Sequence, residues 1–175
     1  MALASSQFPL FYVVFDRIVP AANKYMATLF NTSSTNVIMI DRIFRFSWQF
    51  AGAPDAELDQ YLARITARTA GTSVTVHRGD TIDTIPSGIA ADTDSMIVTE
   101  DHIIRRVPAT SAEFQVSATL KNLMAFESNA GVIYERLSDY QGIILRQNEG
   151  LSIRNVTAVT TGSVSYVFEF TQVFI

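Results

Sequence analysis

The sequence contains no cysteine, one tryptophan and two histidines among its 175 residues. The absence of cysteine excludes a disulfide scaffold, a thiolate nucleophile and a cysteine-ligated zinc site. Charged residues are also scarce, at 17% of the chain, where an average globular domain has about 25%. No apolar run approaches the roughly 18 residues that a membrane-spanning helix requires, so we expect no membrane partner.

The few basic residues are almost all arginines, since the chain has only two lysines, Lys24 and Lys121. Protein interfaces are enriched in arginine and depleted in lysine, because the guanidinium is weakly hydrated and binds carboxylates through two nitrogens. The excess predicts a homo-oligomer, although a compositional bias of the lineage explains it equally well. The net charge of −4 argues against sequence-independent nucleic-acid binding, which needs a basic surface.

Two segments alternate between apolar and polar side chains, the pattern of a half-buried strand. In residues 36–50 the even-numbered positions carry the apolar face: Ile38, Ile40, Phe44, Phe46, Trp48 and Phe50. Arg42 interrupts this face and predicts a bend. Residues 163–171 repeat the alternation, and residues 160–162 before them predict a hairpin turn.

Shorter segments of the same kind predict an all-β protein: a jelly-roll-like β-sandwich of about eight to ten antiparallel strands with a short helical turn. No linker divides the chain, so we expect a single domain over residues 1–175. Residues 55–68 fit either a helix or a strand, and we predict a strand because their neighbours are strands. Residues 120–126 are the candidate for the helical turn.

Catalytic patterns are not evident in the sequence. His77 and His102 lie 25 residues apart at a spacing that matches no known metal-ligand pattern. Four acidic residues could contribute oxygens to a calcium site but lack the offsets of a calcium-binding loop: Asp92, Asp94, Glu100 and Asp101. We therefore predict no catalytic residue, no metal site and no cofactor.

Two short motifs have simple structural explanations. Arg78-Gly79-Asp80 is a tripeptide that some cell-adhesion receptors recognise, and here we interpret it as a turn after a strand. Asn31 and Asn155 satisfy the glycosylation rule, which matters only in a secreted chain. Residues 8–15 lack the basic region and cleavage site of a signal peptide, so we expect the protein to be made in the cytoplasm and not to be exported by that route.

Four aromatic residues near the start of the chain are candidates for an interface: Phe8, Phe11, Tyr12 and Phe15. An aromatic segment without opposing charge suits an N-terminal arm, within residues 1–20, that crosses a subunit boundary. A core strand explains the same residues equally well.

Two stretches resemble a known family. The first comprises residues 63–67 with residues 71–76; the second reads ILRQNEGLSI at residues 144–153 and is followed by Gly162 and by residues 169–171. Together they resemble tailed-bacteriophage virion proteins of about this length and are similar to jelly-roll head decoration (cement) proteins. The resemblance covers about a third of the chain, and its second stretch is the more specific one.

The resemblance implies an all-β jelly roll that forms homotrimers on the capsid surface of a virion, bound to the major capsid protein and without catalysis. It also implies that Arg64 lies in a strand. A carbohydrate- or receptor-binding module of a tail spike or fibre is the alternative, because jelly rolls also serve as lectins. Trp48 lies on an apolar strand face, which favours a core position over a sugar platform. An enzyme with a cupin-like metal site would need clustered histidines.

Overall fold

The computed structural model describes residues 9–49, 57–94, 98–106, 109–110, 131–136, 142–156 and 163–174. Within these residues every regular element is a strand, which confirms the all-β class. The strands are β1 Leu10–Ile18, β2 Lys24–Asn31, β3 Asn36–Gln49, β4 Glu57–Leu58, β5 Gln60–Arg68, β6 Thr72–Ser73, β7 Val76–Arg78, β8 Ile89–Thr93, β9 Val98–Arg106, β10 Ala109–Thr110, β11 Gly131–Glu135, β12 Ile143–Leu145, β13 Glu149–Asn155 and β14 Ser163–Phe174.

Twelve of these strands form two antiparallel sheets of six strands each. Sheet A has the order β11-β3-β14-β1-β7, and β12 also pairs with β3; sheet B has the order β6-β8-β2-β13-β5-β9. The apolar faces of both sheets contribute to one buried core, so the architecture is consistent with a β-sandwich. The finer jelly-roll assignment stays a prediction.

Aromatic side chains of β1 and β14 fill the sheet A side of the core. Phe11 lies 5.7 Å from Phe170 in a stacked pair, and Phe15 lies 5.1 Å from Phe168 edge to face, as measured between ring centroids. All four are fully buried. Each such ring removes about 150–250 Å² from water, so these pairs supply a large part of the free energy that holds sheet A against sheet B.

The long strand β3 confirms the predicted alternation in its first half only. Ile38 and Ile40 face the core, but the pairing with β14 skips Asp41, and beyond it Ile43 is the fully buried residue while Phe44 is half-buried. An extra residue in a strand exchanges its two faces. The prediction that even-numbered residues face the core is therefore wrong for Phe44. The bend was predicted at Arg42, one residue from the skipped Asp41.

Residues 55–68 are strands where the structure describes them, so the helical alternative is wrong. Strand β5 pairs with β13 on one side and with β9 on the other. Both edges of its backbone are thus satisfied by sheet hydrogen bonds, and tertiary pairing overrides the local helical spacing. The helical turn predicted at residues 120–126, the hairpin turn at residues 160–162 and the side chain of Trp48 lie outside the described residues.

At one end of the sandwich, fully buried Asn31 links three parts of the chain. Its Nδ2 donates to the carbonyls of Asn36 (2.8 Å) and Leu145 (3.1 Å), and its Oδ1 accepts from the backbone N–H of Ser33 (2.9 Å). A buried amide that uses donor and acceptor in this way fixes the turn that connects the two sheets. This asparagine is structural, and its Nδ2 is not free to carry a glycan.

Asn31→Ala is expected to lower the free energy of unfolding by about 2–4 kcal/mol, because two carbonyls lose their donor and one N–H loses its acceptor. Thr32→Ala, which removes only an exposed hydroxyl bond to the Gly88 carbonyl, is the control and should lose less than about 1 kcal/mol. Urea denaturation measures both. Equal losses in the two variants would show that Asn31 does not organise this end.

Candidate binding surface

A polar cluster lies on the outer face of sheet B and draws one side chain from each of four adjacent strands. These residues, the tyrosine–arginine cluster, are Tyr25 on β2, Arg154 on β13, Tyr61 on β5 and Glu100 on β9. Arg154 is the register partner of Tyr25 on one side and of Tyr61 on the other. Because neighbouring Ile153 faces the core, the alternation of the strand directs Arg154 outwards.

The guanidinium of Arg154 lies between two phenol rings, 5.4 Å from the centroid of Tyr25 and 5.6 Å from that of Tyr61. Oε1 of Glu100 accepts hydrogen bonds from the hydroxyls of Tyr25 (2.9 Å) and Tyr61 (3.1 Å) and from Nη1 of Arg154 (3.1 Å). Nη2 of Arg154 also donates to Oδ1 of Asn23 (3.3 Å). One carboxylate oxygen therefore ties four strands together across the face of the sheet.

The cluster keeps both phenols protonated. Burial, followed by the hydrogen bond to Glu100 and its charge, raises the pKa of Tyr25 to about 12 and also raises the pKa of Tyr61. Burial alone would lower the pKa of Arg154, but its bond to Glu100 and the neighbouring phenols outweigh this and raise it. Both phenols therefore remain hydrogen-bond donors up to a higher pH than an unperturbed tyrosine would.

Further polar side chains of this outer face are bonded to one another. Thr28 and Ser152 are fully buried and share a hydroxyl hydrogen bond of 2.8 Å. Beside them Arg68 forms an ion pair with Asp92, and its guanidinium lies 5.5 Å from the ring centroid of Phe30. These contacts hold the polar side chains of this part of the surface in fixed positions.

A second polar contact lies inside the sandwich and crosses between the sheets. The hydroxyl of Tyr166 on β14 donates to Oε1 of Gln60 on β5 at 2.8 Å. Complete burial raises the pKa of Tyr166, and burial lowers the pKa of Arg45, its register partner on β3. These groups are enclosed by the core and serve to align the two sheets.

Of the four aromatic residues predicted to form an interface, the structure describes three, and they differ in exposure. Phe11 and Phe15 have no exposed surface. They are core residues, and the interface predicted for them is wrong. The prediction of an N-terminal arm is wrong for residues 10–18. They form β1, which lies inside sheet A between β14 and β7. Tyr12 faces outwards, half-buried, and stacks on His77 at 5.2 Å. Phe8 lies outside the described residues.

The histidines and acidic residues considered as metal ligands also have separate partners. His77 contacts Tyr12, whereas His102 contacts Asp101 at 2.8 Å; Asp94 pairs with Lys24 at 2.9 Å. Within the parts of the chain that the structure describes, no three histidine or acidic side chains come together in a way that could hold a metal ion.

The short motifs occupy structural positions. Nη1 of Arg78 donates to the carbonyl of Asp83 (3.0 Å), and Oδ1 of Asp80 accepts from the N–H of Ile82 (3.1 Å), so the Arg78-Gly79-Asp80 tripeptide builds a turn after β7. Asn155, like Asn31, is fully buried, and its Nδ2 donates to the carbonyl of Ala21 at 2.9 Å.

Comparison with known proteins gives no relative: no family model, no curated protein and no solved structure matches the chain.

Among the described residues there is no helix of the length and apolar character needed to cross a membrane.

Tyr25→Phe tests the protonation of the tyrosine–arginine cluster. Because the pKa of Tyr25 is raised from 10.0 to about 12 in the folded state, its contribution to stability is complete below pH 10 and is lost as the pH rises through about 12. We expect the wild-type chain to be more stable than the variant at pH 7, and the difference to narrow between pH 10 and 12. Denaturation at a series of pH values measures this, and a pH-independent difference would contradict it.

Glu100→Ala removes the acceptor that the three donors share and is expected to cost about 1–3 kcal/mol of unfolding free energy. Glu100→Gln keeps one acceptor oxygen and should lose less. The control is Lys24→Ala, which breaks an exposed ion pair with Asp94 and should lose under about 1 kcal/mol. Urea denaturation compares the three, and a loss no larger in Glu100→Ala than in Lys24→Ala would contradict the role assigned to Glu100.

Proposed function

We propose that this chain is a non-enzymatic structural protein of a tailed-bacteriophage virion, a decoration (cement) protein that stabilises the head by bridging subunits of the major capsid protein. The proposal includes a jelly-roll topology, a homotrimer, assembly in the host cytoplasm and a final location on the capsid surface. It needs neither a cofactor nor nucleic acid or a membrane. The sequence resemblance at residues 144–153 suggests this class.

The observation that carries the proposal is the set of ordered polar side chains on the outer face of sheet B. Two ion pairs lie there, Arg154 with Glu100 at 3.1 Å and Arg68 with Asp92. A surface whose side chains are already ordered loses little conformational entropy when it is buried by a partner. That property suits a protein that binds by shape at a symmetric position.

Part of the stretch that resembles the phage family lies in the interior of the fold. Residues 144–153 include parts of β12 and β13, and Leu151 and Ile153 are fully buried. Gly150 is packed so closely that a Cβ would lie 2.6 Å from the Leu29 carbonyl oxygen. The resemblance therefore concerns residues that build a sandwich, and the capsid role is inferred from it together with the ordered surface.

A cement protein binds the assembled shell in preference to free subunits and so stabilises the shell by mass action. The test is co-sedimentation of the purified chain with heads that lack it, beside an equal amount of unassembled capsid protein. We expect retention on the heads alone and a trimer by light scattering. Failure to bind heads would overturn the capsid role, and a 19.4 kDa monomer at micromolar concentration would overturn the trimer.

A carbohydrate-binding module is the second candidate, and the tyrosine–arginine cluster is the observation that favours it. Aromatic rings beside a carboxylate and a guanidinium are groups that can stack on and hydrogen-bond to sugars. A glycan array distinguishes the candidates: binding to a defined set of glycans that Tyr25→Ala abolishes would support the module, and the absence of binding would leave the capsid role.

A further inference from the structure

Strands β11 and β12 lie along the same side of β3, at one edge of sheet A. β11 pairs antiparallel with residues 42–45, and β12 pairs antiparallel with residues 38–40. Because β14 pairs with β3 along its other side, the two short strands follow one another along the remaining side. In the described parts of the chain, neither of them pairs with any strand other than β3.

The pairing continues from β11 to β12 without a missing residue on the β3 side. The N–H of Arg136, directly after β11, donates to the carbonyl of Asp41 at 2.8 Å, and Ile143 at the start of β12 lies opposite Ile40. Asp41 and Ile40 are consecutive in β3, whereas Arg136 and Ile143 are separated by residues 137–142. β3 therefore has no residue left to pair with these six.

The two faces of this edge also match across the gap. Tyr134 lies opposite Ile43, and Ile143 lies opposite Ile40; all four contact the core. Two residues separate Ile40 from Ile43 in β3, and two residues would separate Tyr134 from Ile143 if residues 137–142 were absent. Without these six residues each side chain of the edge would keep both its partner and its face, whereas a gap one residue longer or shorter would exchange the faces.

The two sides of the gap are held against each other. Nε and Nη2 of Arg136 bind Oδ1 of Asp41 at 2.9 and 2.8 Å, and the N–H of Ile143 donates to the phenol oxygen of Tyr134 at 3.0 Å. Gly142 is packed so closely that a Cβ there would lie 2.6 Å from Cδ of Arg136. The point where β11 ends is therefore already beside the point where β12 begins.

A long and regular strand edge is a template on which another chain can add a strand. Joined end to end, β11 and β12 would form such an edge, with Val132 51% exposed and Ile144 half-buried along it. In the protein the edge is instead divided into segments of five and three residues. Short edge strands are one of the means by which sheets avoid pairing with other chains.

We propose that β11 and β12 are two parts of one edge strand, and that residues 137–142 interrupt it so that this edge does not pair with a second copy of the chain. The interruption lies at Asp41, where the pairing of β3 with β14 is also irregular. Edge strand β9 of sheet B has three register shifts of its own. The inference is independent of the capsid role.

A series of deletions tests whether one strand is interrupted. We expect Δ137–142 to fold with a urea midpoint at or above that of the wild-type chain, because the register is kept and the connection is shorter. The matched controls Δ137–141 and Δ137–143 leave one residue too many or too few, and their midpoints should be lower by about 0.5 M urea or more. An unfolded Δ137–142 chain, or midpoints that do not peak at the deletion of six residues, would overturn the inference of a single strand.

Light scattering on the same variants tests the protective role. We expect Δ137–142 to associate as its concentration rises, to at least about twice the mass of the wild-type particle, because its edge is unbroken. Val132→Lys in the deletion variant places a charge on that edge and should restore the wild-type mass. A folded Δ137–142 chain that keeps the wild-type mass at all concentrations, or association that Val132→Lys leaves unchanged, would overturn the protective role.

Discussion

The structure depends on the aromatic contacts between β1 and β14, which lie side by side in sheet A and direct Phe11, Phe15, Phe168 and Phe170 into the core. Burial of these rings contributes to packing the apolar face of sheet A against that of sheet B. The same contacts explain why Phe11 and Phe15 are not available to a neighbour. Burial of these side chains already stabilises the protein's own fold.

The register between neighbouring strands brings polar side chains together on the outer face of sheet B. Arg154 lies opposite both Tyr25 and Tyr61 only because β13 pairs with β2 and with β5 in one particular alignment. Edge strand β9 supplies Glu100, and three shifts of its register with β5 interrupt the regular edge that another strand would pair with. The protein thus displays fixed side chains while it discourages uncontrolled strand pairing, which is the combination that a rigid protein on a symmetric shell requires.

The alternation in the sequence predicts which side chains of a strand face the core, as long as no bulge in the pairing with a neighbouring strand exchanges its two faces. The alternation in residues 163–171 places Tyr166, Phe168 and Phe170 correctly in the core, because each faces the same way throughout β14. The side of Phe44 could not be predicted, since the bulge at Asp41 depends on the register with β14. The tyrosine–arginine cluster was missed for a related reason: its four residues are far apart in sequence, and only the strand order brings them together.

We propose that the protein is a passive component of a virus particle that acts through shape and buried contacts. The most direct measurement is the copy number of this chain in purified particles, determined by quantitative mass spectrometry after separation of heads from tails. The account predicts that the chain is recovered with the heads, in a fixed ratio to the major capsid protein and in comparable abundance. A few copies recovered with the tails, or none in the particle, would contradict it.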